Sequence, residues 1–161
     1  MTNDTLQNKG RLVRLLIVED NRGDALLVKR AFGRLTIKNN ITIATTGEEA
    51  LRLLNNEIKK NKVKKPDIII LDLNLPGMHG LEVLKTIKND AQLKRIPVII
   101  LSSSCAEYDV IHCYDNYANC YMKKAANLEE LYELIDKIEE FWFKHVILSD
   151  EDKEGHTKHP L

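Results

Sequence analysis

Five apolar runs, each followed by a pattern of helical period, constrain this chain more than anything else in it. They occupy residues 12–18, 41–44, 67–73, 97–102 and 120–123. Most are near-continuously apolar and rich in Val and Ile, the signature of strands covered on both faces. Between them lie helix-period sets: Leu27, Val28, Ala31 and Leu35; Ala50, Leu51, Leu54 and Ile58; Leu81, Leu84 and Ile87; and, last, Leu131, Leu134, Ile135, Ile138 and Trp142. Thr46 with Glu49, Ser104 with Glu107, and Asn127 with Glu130 have the spacing of capping boxes, in which hydroxyl or amide and carboxylate satisfy the first free N–H groups of a helix. The fourth helix, after Ser104, is short and polar. Alternating strands and helices predict an α/β domain with a parallel sheet, helices on both faces and right-handed crossovers. Such open sheets bind ligands beyond the carboxyl ends of their strands.

The residues that end the strands are therefore the candidates for function. Glu19 and Asp20 end the first, Asp72 ends the third before a Pro76-Gly77 turn, Ser102 ends the fourth, and Lys124 follows the fifth. Three crowded carboxylates repel one another, and a hard divalent cation relieves that repulsion. Mg2+ takes carboxylate, carbonyl and water oxygens and retains room for a phosphate oxygen. Asp20 and Asp72 are the expected direct ligands, with Glu19 acting through water and the Asn74 carbonyl completing the shell. Asp72 then has an oxygen for nucleophilic attack on phosphorus. Lys124, a compact point charge, suits a phosphoryl oxygen. The Ser102 hydroxyl and the Ser103 N–H can donate to others.

Glu19-Asp20, the loop Asp72-Leu73-Asn74-Leu75-Pro76-Gly77-Met78-His79-Gly80, Ser102 and Lys124 together resemble the receiver domain of bacterial response regulators, over about residues 11–145. The resemblance implies a flavodoxin-like doubly wound fold with strand order 2-1-3-4-5. It implies that Asp72 accepts a phosphoryl group from a histidine kinase or a histidine phosphotransfer protein, with Mg2+ as cofactor. It also implies that Ser102 and Tyr121 switch together: the hydroxyl is drawn to the phosphoryl and the tyrosine moves inward. The fourth helix, fifth strand and fifth helix would then change their surface. Asn74 and Ser104 stand at positions that tune dephosphorylation. A narrower resemblance, carried by Asn119-Cys120-Tyr121-Met122-Lys123-Lys124, Leu93-Lys94-Arg95-Ile96-Pro97 and Ile138-Glu139-Glu140-Phe141-Trp142, is to stand-alone regulators paired with phytochrome-type kinases. In one respect the chain departs from the family: Ala125, not proline, follows Lys124, so a cis bond there would cost about 3–4 kcal/mol.

Other readings of the same residues remain. An Mg-dependent aspartyl-phosphate phosphatase of the haloacid-dehalogenase kind also uses a strand-end Asp, but needs an acid two residues on, where Asn74 stands. A phosphorylation-independent adaptor would have no need of the crowded acids. A flavin site would need donors where this one has acids.

Composition excludes several further classes. Lys plus Arg and Asp plus Glu number 24 each, so no net charge favours nucleic acid. No run approaches the ~20 apolar residues of a membrane span, and residues 1–10 lack a signal-peptide core. Cys105, Cys113 and Cys120 are odd in number and match no zinc spacing, which predicts reduced thiols in a cytoplasmic protein. We expect one domain over residues 11–148, with flexible ends at 1–10 and 149–161 and no attached output domain. His79 reads as a solvent-facing loop residue. Lys59, Lys60, Lys62, Lys64 and Lys65 read as a solvated connection. Phe141-Trp142-Phe143 and Val146-Ile147-Leu148 exceed what one helix can bury against its own sheet. They either bend back onto the domain or serve a homodimer or kinase-docking surface, and the second is the expectation here.

Overall fold

The computed structural model describes residues 10–58, 60 and 64–149; the side chains of 57 and 58 are not described. The expectations for residues 1–9 and 150–161, and for Lys59 and Lys62, fall outside it. The five strands β1 (Val13–Val18), β2 (Asn39–Ala44), β3 (Ile68–Leu71), β4 (Val98–Ser102) and β5 (Cys120–Lys123) form one parallel sheet in the order β2-β1-β3-β4-β5. This is the expected order. Strand ends differ from the expected ones by small steps. β2 starts two residues earlier, through Asn39 and Asn40, because it pairs with β1 along its whole length. β3 stops at Leu71, which leaves Asp72 just past the ladder.

The sheet separates two cores. Successive residues of a strand face opposite ways. Leu16, Val18, Ile69, Leu71, Val98 and Ile100 enter one layer, with Leu54, Val83, Leu84 and Ile87 packed on it. Leu15, Ile17, Ile68, Ile70, Ile99 and Leu101 enter the other, with Phe32, Ile135, Ile138 and Phe143. The helices α1 (Arg22–Gly33) and α5 (Leu128–Ile138) cover this second layer, while α2 (Gly47–Arg52) and α3 (Gly80–Asn89) cover the first, next to α4 (Glu107–Asp115). Each central-strand Ile or Leu is buried in the layer it faces, so truncating one to Ala costs roughly 2–5 kcal/mol.

Two of the three spacings do cap a helix, with the Glu49 and Glu130 carboxylates reaching one residue further back than a capping box does, to Thr45 N and Ala126 N. The Thr46 hydroxyl accepts from Glu49 N at 3.0 Å, and the Asn127 side chain accepts from Glu130 N at 2.9 Å. The third does not: α4 begins at Glu107 with Ala106 as its cap and no side-chain cap bond. Ser104 lies too far out, and its hydroxyl is committed to Asp109 instead.

α2 and α5 each run on into a π-helical segment, Leu53–Ile58 and Glu139–His145. Apolar spacing cannot distinguish this wider winding from an α-helix, so both read as plain continuations. In the second case it overturns an expectation. Trp142, Phe143 and Leu148 turn back into the layer beneath α1 and α5 and are buried. Only Phe141 and Ile147 of that stretch stay exposed among the large apolar residues. The return is anchored by polar contacts from distant chain. Glu139 accepts from Thr36 Oγ1 and Ile37 N, both at 2.9 Å, and Arg11 donates to Leu148 O and Ser149 O. Cutting the chain after Glu140 would therefore remove core, not merely an adhesive patch.

Candidate functional site

In the order β2-β1-β3-β4-β5 the connections diverge between β1 and β3, the switch point beyond whose carboxyl ends open sheets of this kind bind ligands. Glu19 and Asp20 follow β1 directly and Asp72 follows β3. Carboxylate oxygens of these three residues lie within 4.8 Å of one another. Glu19 and Asp72 are buried and Asp20 is exposed. Lys124 arrives from the far side, because its N–H donates to Ser102 O at 2.9 Å and so prolongs the β4–β5 ladder by one residue. Its ammonium lies 2.6 Å from Glu19 Oε2 and 3.0 Å from Asp72 Oδ2. The peptide after Lys124 is trans, since no described bond is cis. Ala125 thus accommodates the lysine without the costly isomer.

Electrostatics follow from this crowding. Burial pushes the Glu19 carboxyl up; hydrogen bonds from Lys124 and from Asn21 N, and the Lys124 charge, pull it back, while the Asp72 charge adds to the rise. Burial alone would lower the Lys124 ammonium, but hydrogen bonds and charge from Glu19 and Asp72 outweigh it and the net direction is up. The lysine is thus held firmly protonated, one cation among three acids.

The loop after Asp72 is held from several sides. Asn74 N donates to Asp72 Oδ1 at 3.1 Å, which orients the carboxylate. Gly77 has φ +71°, in the left-handed region that favours glycine, and Met78 N then donates to Glu48 Oε1 on α2 at 3.2 Å. A Cβ on Gly80 would sit 2.2 Å from the Asp72 carbonyl oxygen, so only glycine lets α3 start against the backbone that carries Asp72. His79 does more than face solvent: its Nδ1 accepts from Leu81 N at 3.2 Å and caps α3. Ser, Thr, Asp and Asn are the usual signals for that position. Histidine is not, so from the sequence His79 reads only as a solvent-facing loop residue; it is exposed, and the cap is its added role.

Ser102 and Tyr121 adjoin the same edge and meet at Ser104. The Ser102 hydroxyl is fully buried and accepts from Ser104 N at 3.1 Å. The Tyr121 hydroxyl donates to Ser104 O at 2.9 Å and its ring packs on the core beside α4. The tyrosine, expected to move inward on phosphorylation, already has this half-buried position.

The donor set fits a hard divalent cation: carboxylate oxygens only, no sulfur or imidazole, and more negative charge than Lys124 neutralises.

Residues 15–136 match the family model of the response regulator receiver domain. The chain is 40% identical over 134 residues to response regulator Rcp1 of Synechocystis sp., covering 83% of this chain and 91% of that protein. It superposes on the phosphorylated cyanobacterial phytochrome response regulator RcpA with a TM-score of 0.80 at 41% identity, covering 86% of this chain and 99% of RcpA. The Mn2+-bound form of Rcp1 gives a TM-score of 0.79 at 38% identity, covering 86% and 99%. The chain belongs to the response regulator receiver family.

Proposed function

We propose that this receiver domain accepts a phosphoryl group on Asp72 from a histidine kinase of the phytochrome type, or from a histidine phosphotransfer protein, and signals through protein contacts. One observation carries the reading: the Lys124 ammonium bridges Glu19 and Asp72 at 2.6 and 3.0 Å, with Asp20 beside them at the sheet's switch point. Asp72 attacks phosphorus, a P–O bond forms to its carboxylate, the bond to the donor imidazole breaks, and the imidazole leaves with a proton. Lys124 pairs with the phosphoryl oxygens, and the Ser102 hydroxyl and Ser103 N–H donate to them. Asp20, Asp72, Glu19 and the Asn74 carbonyl would hold Mg2+, which neutralises charge on the transferring group when bound. The phosphorylated state of RcpA and the Mn2+ in Rcp1 support the same chemistry here. Among the described residues no helix is long and apolar enough to cross a membrane.

The receiver unit spans 11–148, since Arg11 and Leu148 bind each other across the base of the sheet. Exposed Phe141 and Ile147 are the apolar remainder available for a homodimer. The phosphoprotein is a signalling species, and any catalysis is confined to its own phosphorylation and hydrolysis.

Incubation with Mg2+ and acetyl phosphate or phosphoramidate, followed by intact-mass measurement, tests this. A gain of one phosphoryl that vanishes in Asp72→Asn is expected. Steady turnover of a phosphomonoester without mass gain would place the chain with the phosphatases. No reaction of either kind would leave it an adaptor.

A further inference from the structure

The turn between β4 and α4 is tied down by bonds that phosphoryl acceptance does not require. Ser104 Oγ donates to Asp109 Oδ2 at 2.6 Å and accepts from Ala106 N at 3.3 Å. Ser104 N donates to Ser102 Oγ, and Ser104 O accepts from the Tyr121 hydroxyl. A single residue thus touches both members of the proposed switch pair with its backbone, and α4 with its side chain. The hydroxyl–carboxylate bond is short and charge-assisted, the stronger kind. Both partners are half-buried, which limits competition from water. Glu107, two residues earlier and also acidic, is exposed.

We propose that Asp109 is a positioning residue for the switch. From the first turn of α4 it fixes Ser104 so that the Ser104 carbonyl faces Tyr121, and it thereby holds the tyrosine half-buried before any phosphoryl arrives. The inference rests on the reading of Ser102 and Tyr121 as a switch pair above Asp72. A resting protein held this way has little tyrosine movement left to make. Phosphorylation would then act chiefly by pulling Ser102 away from Ser104 N, and α4 would feel the change through Asp109. The Tyr121 phenol is pushed up, by burial first and against a lowering bond from Ser102, with the Asp109 charge among the smaller raising causes; this agrees with their proximity.

The test is fluorine NMR on protein labelled with 3-fluorotyrosine. The chain has five tyrosines, and the Tyr121 resonance is assigned by its loss in Tyr121→Phe. With no phosphoryl donor present, Asp109→Ala should move this resonance toward the solvent-exposed value, with about a tenfold change in the ratio of buried to exposed ring, as expected for one lost bond to a charged group. Ser104→Ala should do the same by removing the donor. Asp109→Asn keeps an acceptor oxygen and should retain most of the wild-type shift. Coincident resonances in wild type and both alanine variants would overturn the proposal. So would an Asp109→Asn shift as large as that of Asp109→Ala, which would mean a charge effect without positioning. The comparison is made on unmodified protein, so it reads out even if Asp72 proves unable to take a phosphoryl group. That second failure would appear separately, as absent mass gain in the wild type.

Discussion

The two edges of the sheet both bury charge, and they balance it differently. At the amino edge Asp67 is buried, accepts from Arg14 N at 2.7 Å and pairs with the Arg11 guanidinium. Close by, the Lys88 ammonium donates to Lys94 O, Ile96 O and Asn119 Oδ1 at 3.2, 2.8 and 2.9 Å, one acceptor for each of its three protons. At the carboxyl edge three acids stand together, and the Lys124 ammonium pairs with two of them, Glu19 and Asp72. Burial pushes Asp67 and Glu19 up alike. Behind that shared direction, only cations and an N–H oppose the rise at Asp67, whereas at Glu19 a second acid, Asp72, reinforces it. An edge whose buried charges each have their hydrogen-bond partners acts as scaffold. An edge left with surplus negative charge is incomplete until a cation arrives.

If that contrast is right, removing the one cation from the unbalanced edge has the largest effect. Lys124→Met leaves Glu19 and Asp72 buried against each other. Breaking a buried pair costs about 3–5 kcal/mol, and because Lys124 is partly exposed about 2–3 kcal/mol is expected here. Urea unfolding would measure it, and added Mg2+ should restore part of the loss by supplying the missing charge. The same treatment at the balanced edge gives no such rescue. Asp67→Ala leaves Arg14 N and Arg11 without their acceptor and should cost about 2 kcal/mol, independent of divalent metal. Hydrogen exchange should also quicken at residues 146–148, because Arg11 would lose the carboxylate that aims it at the Leu148 and Ser149 carbonyls. Metal rescue of the Asp67 variant would remove the distinction between the edges.

What the sequence made legible divides along the same line. Strand periodicity and abrupt polar ends are local signals, and they sufficed to place Glu19, Asp20, Asp72, Ser102 and Lys124 at one edge. The balanced edge depends on contacts between residues far apart in the chain: Arg11 with Leu148, Glu139 with Thr36 and Ile37, Lys88 with Asn119. None of these has a spacing rule. Aromatic Phe141, Trp142 and Phe143 looked like a surplus for the same reason, since the layer that receives two of them is completed by distant Phe32, stacked on Phe143 at 6.2 Å. The Ser104–Glu107 capping box misled because the spacing was right while the turn held the hydroxyl toward Asp109.

Lys88 offers a smaller and pH-dependent test of the balanced edge. Burial pushes its ammonium down to about 8 from an ordinary 10.5. The folded state therefore releases this proton before the unfolded state does. Between about pH 8 and 10.5 the unfolded chain binds more protons, so the unfolding free energy contributed by this group rises with pH; below about 8 both states are protonated and the contribution is flat. A neutral amine still donates two of the three hydrogen bonds, so the site survives the change. Wild type minus Lys88→Met should gain about 1 kcal/mol from pH 7.5 to 10, after discounting for partial exposure. A flat difference would mean that the three oxygens hold the proton against burial.

The smallest effect is the most diagnostic, because its sign reverses. Asp20 is exposed, and without metal its charge only adds to the repulsion around Glu19 and Asp72. Asp20→Asn should then stabilise the metal-free protein by about 0.5 kcal/mol, the scale of an exposed charge contact. With Mg2+ at about 100 times its dissociation constant the wild type gains ~2.7 kcal/mol by mass action. A variant that lacks one of the proposed ligands should gain less, so the order of stabilities should invert. At the amino edge no substitution can invert in this way, since nothing there waits for a cation. Thermal unfolding of wild type and Asp20→Asn with and without Mg2+ would reveal the crossing. If the variant were less stable under both conditions, the carboxyl edge would be as balanced as the other and Asp20 would serve structure instead of metal.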